Sequence, residues 1–494
     1  MWGESMLYRS LGILLLGAGS TFWSSFISAQ ESMHGMMMPM TRTEEIKAPL
    51  LPHGAVLQEI AKLANQSQQP NLFKADVTAA PTETEFVTGI KTTVWAYNGS
   101  VPGPLIEVQE GDTVEIRFIN ELPQPSTIHW HGLPIPPEQD GNPMDPVLPG
   151  KVQTYRFTLP EGSAGTYWYH PHPHVYTAEQ VYKGLAAPFI VRAKNDPLKN
   201  IAERNLMISD LKLNSDASIA ENDGNDWMNG REGQFVLVNG QYQPVISVNG
   251  TERWRIWNAS SARYLNLSLS GRKFTLVGTD GGLLEKPVRD LQKLLLGPAE
   301  RVEIIVDASG QEGAVNLLAE PYTRGKMGRV AAEQTINIAA VNLLAGQSVA
   351  IPDVLRKIDD LGEVKATKKI VFSEVMSMAN GQHSMAFLIN GKSFDMDRVD
   401  FISRIHDVEL WEIINDSDMD HPFHVHGTQF QVIGTELNNV RTAAPYRVWK
   451  DTVNVRSGET VRIKIRQDFP GLRMVHCHIL EHEVQGMMAI QLVK

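Results

Sequence analysis

One short pattern, present three times, constrains the fold of this 494-residue chain more than any other feature. An Asn-Gly pair recurs at Asn98-Gly99, Asn239-Gly240 and Asn390-Gly391, 141 and 151 residues apart. The frames are alike: Tyr97-Asn98-Gly99-Ser100, Leu237-Val238-Asn239-Gly240-Gln241 and Leu388-Ile389-Asn390-Gly391-Lys392. Asn-Gly accepts the left-handed backbone of tight hairpin turns. Between 19 and 25 residues later comes a run ending in asparagine, at Asn120, Asn258 and Asn415. In the first run Val114, Ile116 and Phe118 alternate with Glu115, Arg117 and Ile119, close to the period of a half-buried strand. Short strands separated by Gly, Pro and Asn turns fill the rest, and long helical periods are scarce. The expectation is an all-β chain of three consecutive Greek-key β-sandwich domains.

The repeat places the domains at residues 71–196, 197–340 and 366–494, with 341–365 as a linker. Residues 11–19 form an apolar run too short to span a bilayer comfortably, preceded by Arg9 and followed by the small-residue pattern Ile27-Ser28-Ala29. This reads as a Sec-type signal peptide over 1–29, so the mature protein is expected to be secreted or periplasmic. Residues 30–70 are a methionine-rich tail and lead-in, with five methionines within residues 33–40. Thioethers favour Cu(I), and a flexible terminus is the other reading. No later stretch is long and apolar enough to cross a membrane. With 45 basic against 56 acidic side chains and a net charge of -11, the chain has no electrostatic case as a nucleic-acid binder.

Among 15 histidines there is one cysteine, so no intrachain disulfide can form. Cys477 is then either an inert buried thiol or a reactive or metal-binding one. Ten histidines fall in four tight groups: His129 and His131; His170 and His172; His421, His424 and His426; His476, His478 and His482. On a strand, residues i and i+2 project from one face, so each His-x-His offers two imidazoles to one side. Two groups lie in the first repeat and two in the third, which describes a site assembled between those repeats. His476 and His478 face one way and Cys477 the other, so Cys477 needs partners of its own. His421, His482 and Met487 are available, and two imidazoles, a thiolate and a weak axial thioether are a blue-copper ligand set.

These four groups resemble the copper-binding signatures of the multicopper oxidases, the family of laccases, ascorbate oxidase and bacterial cuprous oxidases. The resemblance covers nearly all of the mature chain and implies three cupredoxin-like domains, the middle one without ligands. It implies four copper ions: a type 1 ion on His421, Cys477, His482 and Met487; a type 2 ion on His129 and His424; and a type 3 pair on His131, His170, His172, His426, His476 and His478. The implied reaction takes electrons one at a time from a reductant, passes them through Cys477, and reduces O2 to water. Asp140 and Glu483 stand where the family carries its proton-path acids.

The reductant is less constrained. Asp418, Met419 and Asp420 immediately precede His421 and could bind a reduced metal ion, Cu(I) or Fe(II), with Met376, Met378 and Met385 as further soft donors. The long methionine-rich insert of the enteric cuprous oxidases is missing from the third domain, which keeps a laccase-type phenol oxidase open. A non-catalytic copper-binding protein is the remaining alternative. A complete ligand set argues against a scaffold that has lost its copper, and the His-Cys-His triplet argues against a nitrite reductase. His174, in the run after His170, is expected to be no ligand. The oligomeric state is open.

Overall fold

In each repeat a strand that precedes the Asn-Gly turn by one further strand pairs in parallel with the strand whose end carries the asparagine. Leu72–Val87 pairs with Thr113–Asn120, Ala202–Leu211 with Thr251–Asn258, and Ala366–Ala379 with Val408–Asp416. The computed structural model describes residues 49–310, 312–379 and 382–494. At the turns, Asn98, Asn239 and Asn390 have φ of 50°, 51° and 52°, and the following glycines are also left-handed. That is the type I′ geometry for which Asn-Gly is suited. Each turn asparagine also bonds back to the parallel strand: the side-chain oxygens accept from the N–H groups of Thr78, Met207 and Val371.

The strand-ending asparagines have a second shared task. Each is buried, and each amide donates to two loop carbonyls: Asn120 to Gln124 and Val147, Asn258 to Arg263 and Leu296, Asn415 to Met419 and Val455. One side chain thus ties together the loops at the end of each sandwich. Buried carbonyls without donors are costly. Asn258→Ala is therefore expected to destabilise the protein by about 2–4 kcal/mol, read as a lowered denaturation midpoint, while Asn98→Ala at an exposed turn should cost less.

Two sheets build each domain, of four and four, seven and five, and six and five strands among the described residues. Strand order is not sequential: the first sheet runs Ile90–Tyr97, Leu72–Val87, Thr113–Asn120, Val152–Thr158. The inward residues of the two sheets form one apolar cluster per domain. In the first, Ala75, Val77, Val114, Ile116 and Phe118 meet Ile106, Trp130, Tyr169 and Phe189. In the second and third, Trp254 and Trp411 occupy equivalent buried positions, and each indole N–H donates to the glutamate two residues earlier, Glu252 or Glu409.

The lead-in does more than enter the first domain. Val56 bridges Val245 of the second domain, and Leu57 joins that domain's core. Lys62 then bridges Leu105 of the first. Isolated bridges of this kind leave no alternating pattern in sequence. Residues 345–365 run without regular strand, anchored by the buried Leu355 and Ile358. The signal segment and the methionines of residues 33–40 lie outside the described residues, as does the side chain of Met378.

Candidate metal centre

Strand pairing brings the histidine groups together. His129–His131 lies antiparallel to Gly165–His170, with His129 opposite His170. In the third domain His421–Val425 lies against Gly471–Cys477, with His424 opposite His476. His129, His131, His170, His172, His424, His426, His476 and His478 are all buried and converge from both domains. Nε2 of His129 lies 3.3 Å from Nε2 of His424, Nε2 of His172 3.2 Å from Nε2 of His476, and Nε2 of His426 3.1 Å from Nε2 of His476. Nδ1 of His131 lies 3.4 Å from Nε2 of His170. His478 packs edge-on to His131, with ring centroids 5.0 Å apart.

The opposite ring nitrogens explain this convergence. Nδ1–H of His170 donates to the Pro171 carbonyl at 2.9 Å, that of His424 to the Asp451 carbonyl at 2.9 Å, and that of His476 to the Cys477 carbonyl at 2.9 Å. His129 turns Nδ1 to Asp140, 3.1 Å from its Oδ1. In these four rings the outer nitrogen carries the proton, so Nε2 is left as an unprotonated donor aimed inward. His131 is reversed: its Nε2 faces Asp451 Oδ1 and Thr452 Oγ1, both at 3.0 Å, and Nδ1 points inward. Burial drives the pKa values of His131, His170, His172, His424, His426 and His478 well below the ordinary range, so these imidazoles are neutral, the ligating form. Nδ1 of His172 and both nitrogens of His478 have no hydrogen-bond partner in the protein. So many buried imidazoles with nitrogens aimed at one small volume fit a metal cluster.

A second group lies on the other face of the Gly471–Cys477 strand. His421 Nδ1 is 3.3 Å from Cys477 Sγ and 3.4 Å from His482 Nδ1, with all three side chains buried. His482 comes from the short helix Leu480–Val484, which directly follows the strand. The N–H of Ile479 donates to Cys477 Sγ, and Met487 packs in the same apolar cluster as the cysteine. The outer nitrogens are again held: His421 Nε2–H donates to Ser417 Oγ at 3.0 Å and His482 Nε2–H to the Met228 carbonyl at 3.2 Å. Phe387 stacks on the His482 ring, centroids 3.9 Å apart. Burial pushes the Cys477 thiol far up, so no ordinary reactive thiolate forms there.

Three family models described as multicopper oxidase match residues 78–196, 206–342 and 369–494. The chain belongs to the multicopper oxidase family. It is 34% identical to a multicopper oxidase of Staphylococcus aureus over 86% of this chain and 90% of that protein. It is 30% identical to a laccase of Bacillus subtilis over 80% of this chain and 90% of that one. The solved structure of a Campylobacter jejuni multicopper oxidase, a metallo-oxidase, superposes with a TM-score of 0.88 at 44% identity, covering 94% of this chain and all of that one.

Multicopper oxidases are oxidoreductases that use O2 and a reductant, and the histidine clusters here fit copper. Both acids of this oxidase reach the larger cluster. Asp140 Oδ2 lies 3.2 Å from His426 Nδ1. Glu483 lies 3.7 Å from His172 and 3.4 Å from His476, and burial pushes its carboxyl up to about 8. His174 lies apart from the cluster histidines, against Phe394. The three residues before His421 are divided. Asp418 is exposed, but Met419 is buried with its sulfur 3.8 Å from Arg324 Nη1, and Asp420 Oδ2 accepts from Tyr322 and Asn454. Hydrogen bonding inside the protein claims two members of the expected substrate triplet. Met376 is exposed and Met385 packs against the Cys477 cluster. Sequence reasoning missed Asp451, Thr452, Ser417 and Met228, none of which sits in a histidine motif; only the strand register, His424 opposite Thr452, could have pointed to the first two.

Proposed function

We propose that this chain is a metallo-oxidase that oxidises Cu(I) or Fe(II) one electron at a time and reduces O2 to water, in metal homeostasis outside the cytoplasm. In this reading His421, Cys477, His482 and Met487 hold a type 1 copper, His129 and His424 a type 2 copper, and His131, His170, His172, His426, His476 and His478 a type 3 pair, four ions in all. Bound copper supplies the one-electron redox chemistry and the reduction of O2. Cys477 links the two sites through its own backbone, since its carbonyl accepts from Nδ1–H of His476. Glu483, buried against His172 and His476 with its carboxyl pushed up to about 8, is the acid placed to hold and move a proton beside those rings. Asp140 keeps His129 turned with Nε2 inward.

The observation that carries the choice of reductant is the cover over His482. The helix Gly224–Asn229, closed by an Asp223–Asp226 capping box, sets the Met228 carbonyl on the outer nitrogen of that ring. With His421 and His482 fully buried, an aromatic donor has no imidazole edge to stack on. A small ion needs only carboxylates nearby, and exposed Asp418 with Glu374, which accepts from the Asp418 N–H, offers them. The Campylobacter relative, itself a metallo-oxidase, supports the same reading. The laccase relatives favour phenol oxidation as the second reading.

Oxygen uptake by the copper-loaded protein with Cu(I), Fe(II) and a phenolic dye under matched conditions tests it. Uptake with either ion well above that with the phenol is expected. Phenol activity without response to either ion would sink the metallo-oxidase reading, and no uptake with any reductant would mean copper storage.

A further inference from the structure

The middle domain supplies no histidine, yet one of its side chains reaches the cluster. Arg301 opens the strand Arg301–Asp307, is fully buried, and forks onto Asp451 of the third domain: Nη1 to Oδ1 at 2.7 Å and Nη2 to Oδ2 at 2.5 Å. Asp451 Oδ1 is the atom that accepts from Nε2–H of His131, and the Asp451 carbonyl accepts from Nδ1–H of His424. One guanidinium therefore stands behind a residue that orients a ring from the first domain and a ring from the third.

The arginine has little freedom to move. Its Nε donates to the Thr166 carbonyl and Nη1 also to the Ala299 carbonyl. Its own N–H donates to Asp280, which pairs with Lys450, and Lys450 pairs with Glu300. Charges of alternating sign thus back the pair on its far side, which limits the cost of burying it. The chain at the ligand has also adapted. Gly132, directly after His131, has a φ of 87°, and a Cβ there would fall inside the Asp451 carboxylate and 2.9 Å from Arg301 Nη2. The pair occupies the space where any other residue would put its side chain.

We infer that Arg301 is a positioning residue of the histidine cluster: by gripping both oxygens of Asp451 it holds the proton of His131 on Nε2 and leaves Nδ1 as the donor. This rests on the assignment of His131 and His424 as copper ligands. A planar two-pronged donor is required, because a carboxylate held at one oxygen can rotate. Lysine keeps the charge and loses the fork.

The test compares Arg301→Lys, Asp451→Asn and His131→Ala in the copper-loaded full chain, by chelator titration, by the electron paramagnetic resonance signal of the type 2 ion, and by the blue absorption of the type 1 ion. Arg301→Lys is expected to release cluster copper about 10- to 100-fold more readily, with an altered type 2 signal and unchanged blue absorption per chain. Asp451→Asn leaves the arginine's carbonyl contacts in place, and the same selective loss is expected from it should the lysine variant fail to fold. Wild-type retention and signal in either folded variant would overturn the inference, as would loss of blue absorption in parallel with cluster copper, the mark of a merely structural contact. If His131→Ala keeps the cluster copper, the ligand assignment fails; if it loses the copper and Arg301→Lys does not, only the role of Arg301 fails.

Discussion

Cys477→Ser is expected to abolish the intense blue absorption and oxygen uptake of the copper-loaded protein and to leave the fold intact. The thiol is buried among Met487, Phe423 and Ile479, and burial raises its pKa far above neutral. Without a soft cation to displace its proton it is an inert side chain; with one it becomes a thiolate ligand. A serine hydroxyl at that position is a hard, protonated donor and cannot take over. The substitution removes little volume, and the N–H of Ile479 can still donate to the new oxygen, so the cost in stability should be about 1–2 kcal/mol. The measurement is visible absorption, copper per chain and oxygen uptake beside a thermal melt. A serine variant that stays blue would overturn the assignment of this cysteine, and one that melts like an unfolded chain would show that its first duty is packing.

Glu483→Gln should give the next largest effect, of a different kind. The carboxyl is 3.7 Å from Nε2 of His172 and 3.4 Å from Nδ1 of His476, with burial pushing it up to about 8. At neutral pH it carries a proton that it can give up and regain. Glutamine has the same shape but cannot cycle a proton. Turnover is expected to fall about 10²- to 10⁴-fold, the usual range for loss of a positioned acid, with blue absorption and anaerobic bleaching by excess reductant unchanged. Normal turnover in the glutamine variant would remove Glu483 from the proton path, and loss of blue colour would place its effect on the neighbouring His482 instead.

The features legible in the amino-acid sequence rest on short-range rules. Asn98, Asn239 and Asn390 adopt left-handed turns for local steric reasons, so an Asn-Gly pair announces a hairpin wherever it stands. The period of a strand puts His129 and His131 on one side, which is why paired imidazoles read as half-sites. The linker and lead-in are less legible, because backbone bridges such as Val56 to Val245 leave no side-chain pattern. The expected triplet before His421 divides because Tyr322, Arg324 and Asn454, each far along the chain, claim Met419 and Asp420.

Sequence alone determined the kinds of donor and their spacing: imidazoles in pairs, one thiol between two histidines, and strands to carry them. Those follow from residue chemistry and a two-residue period. Tertiary structure alone decided which nitrogen of each ring faces inward and how the site is closed. The pairing of Arg301 with Asp451 spans 150 residues and that of His482 with Met228 spans 254. Contacts at such separation depend on how three domains are docked, and no local propensity encodes them. The middle domain, which carries no histidine, is thereby the part whose role only the folded chain could reveal.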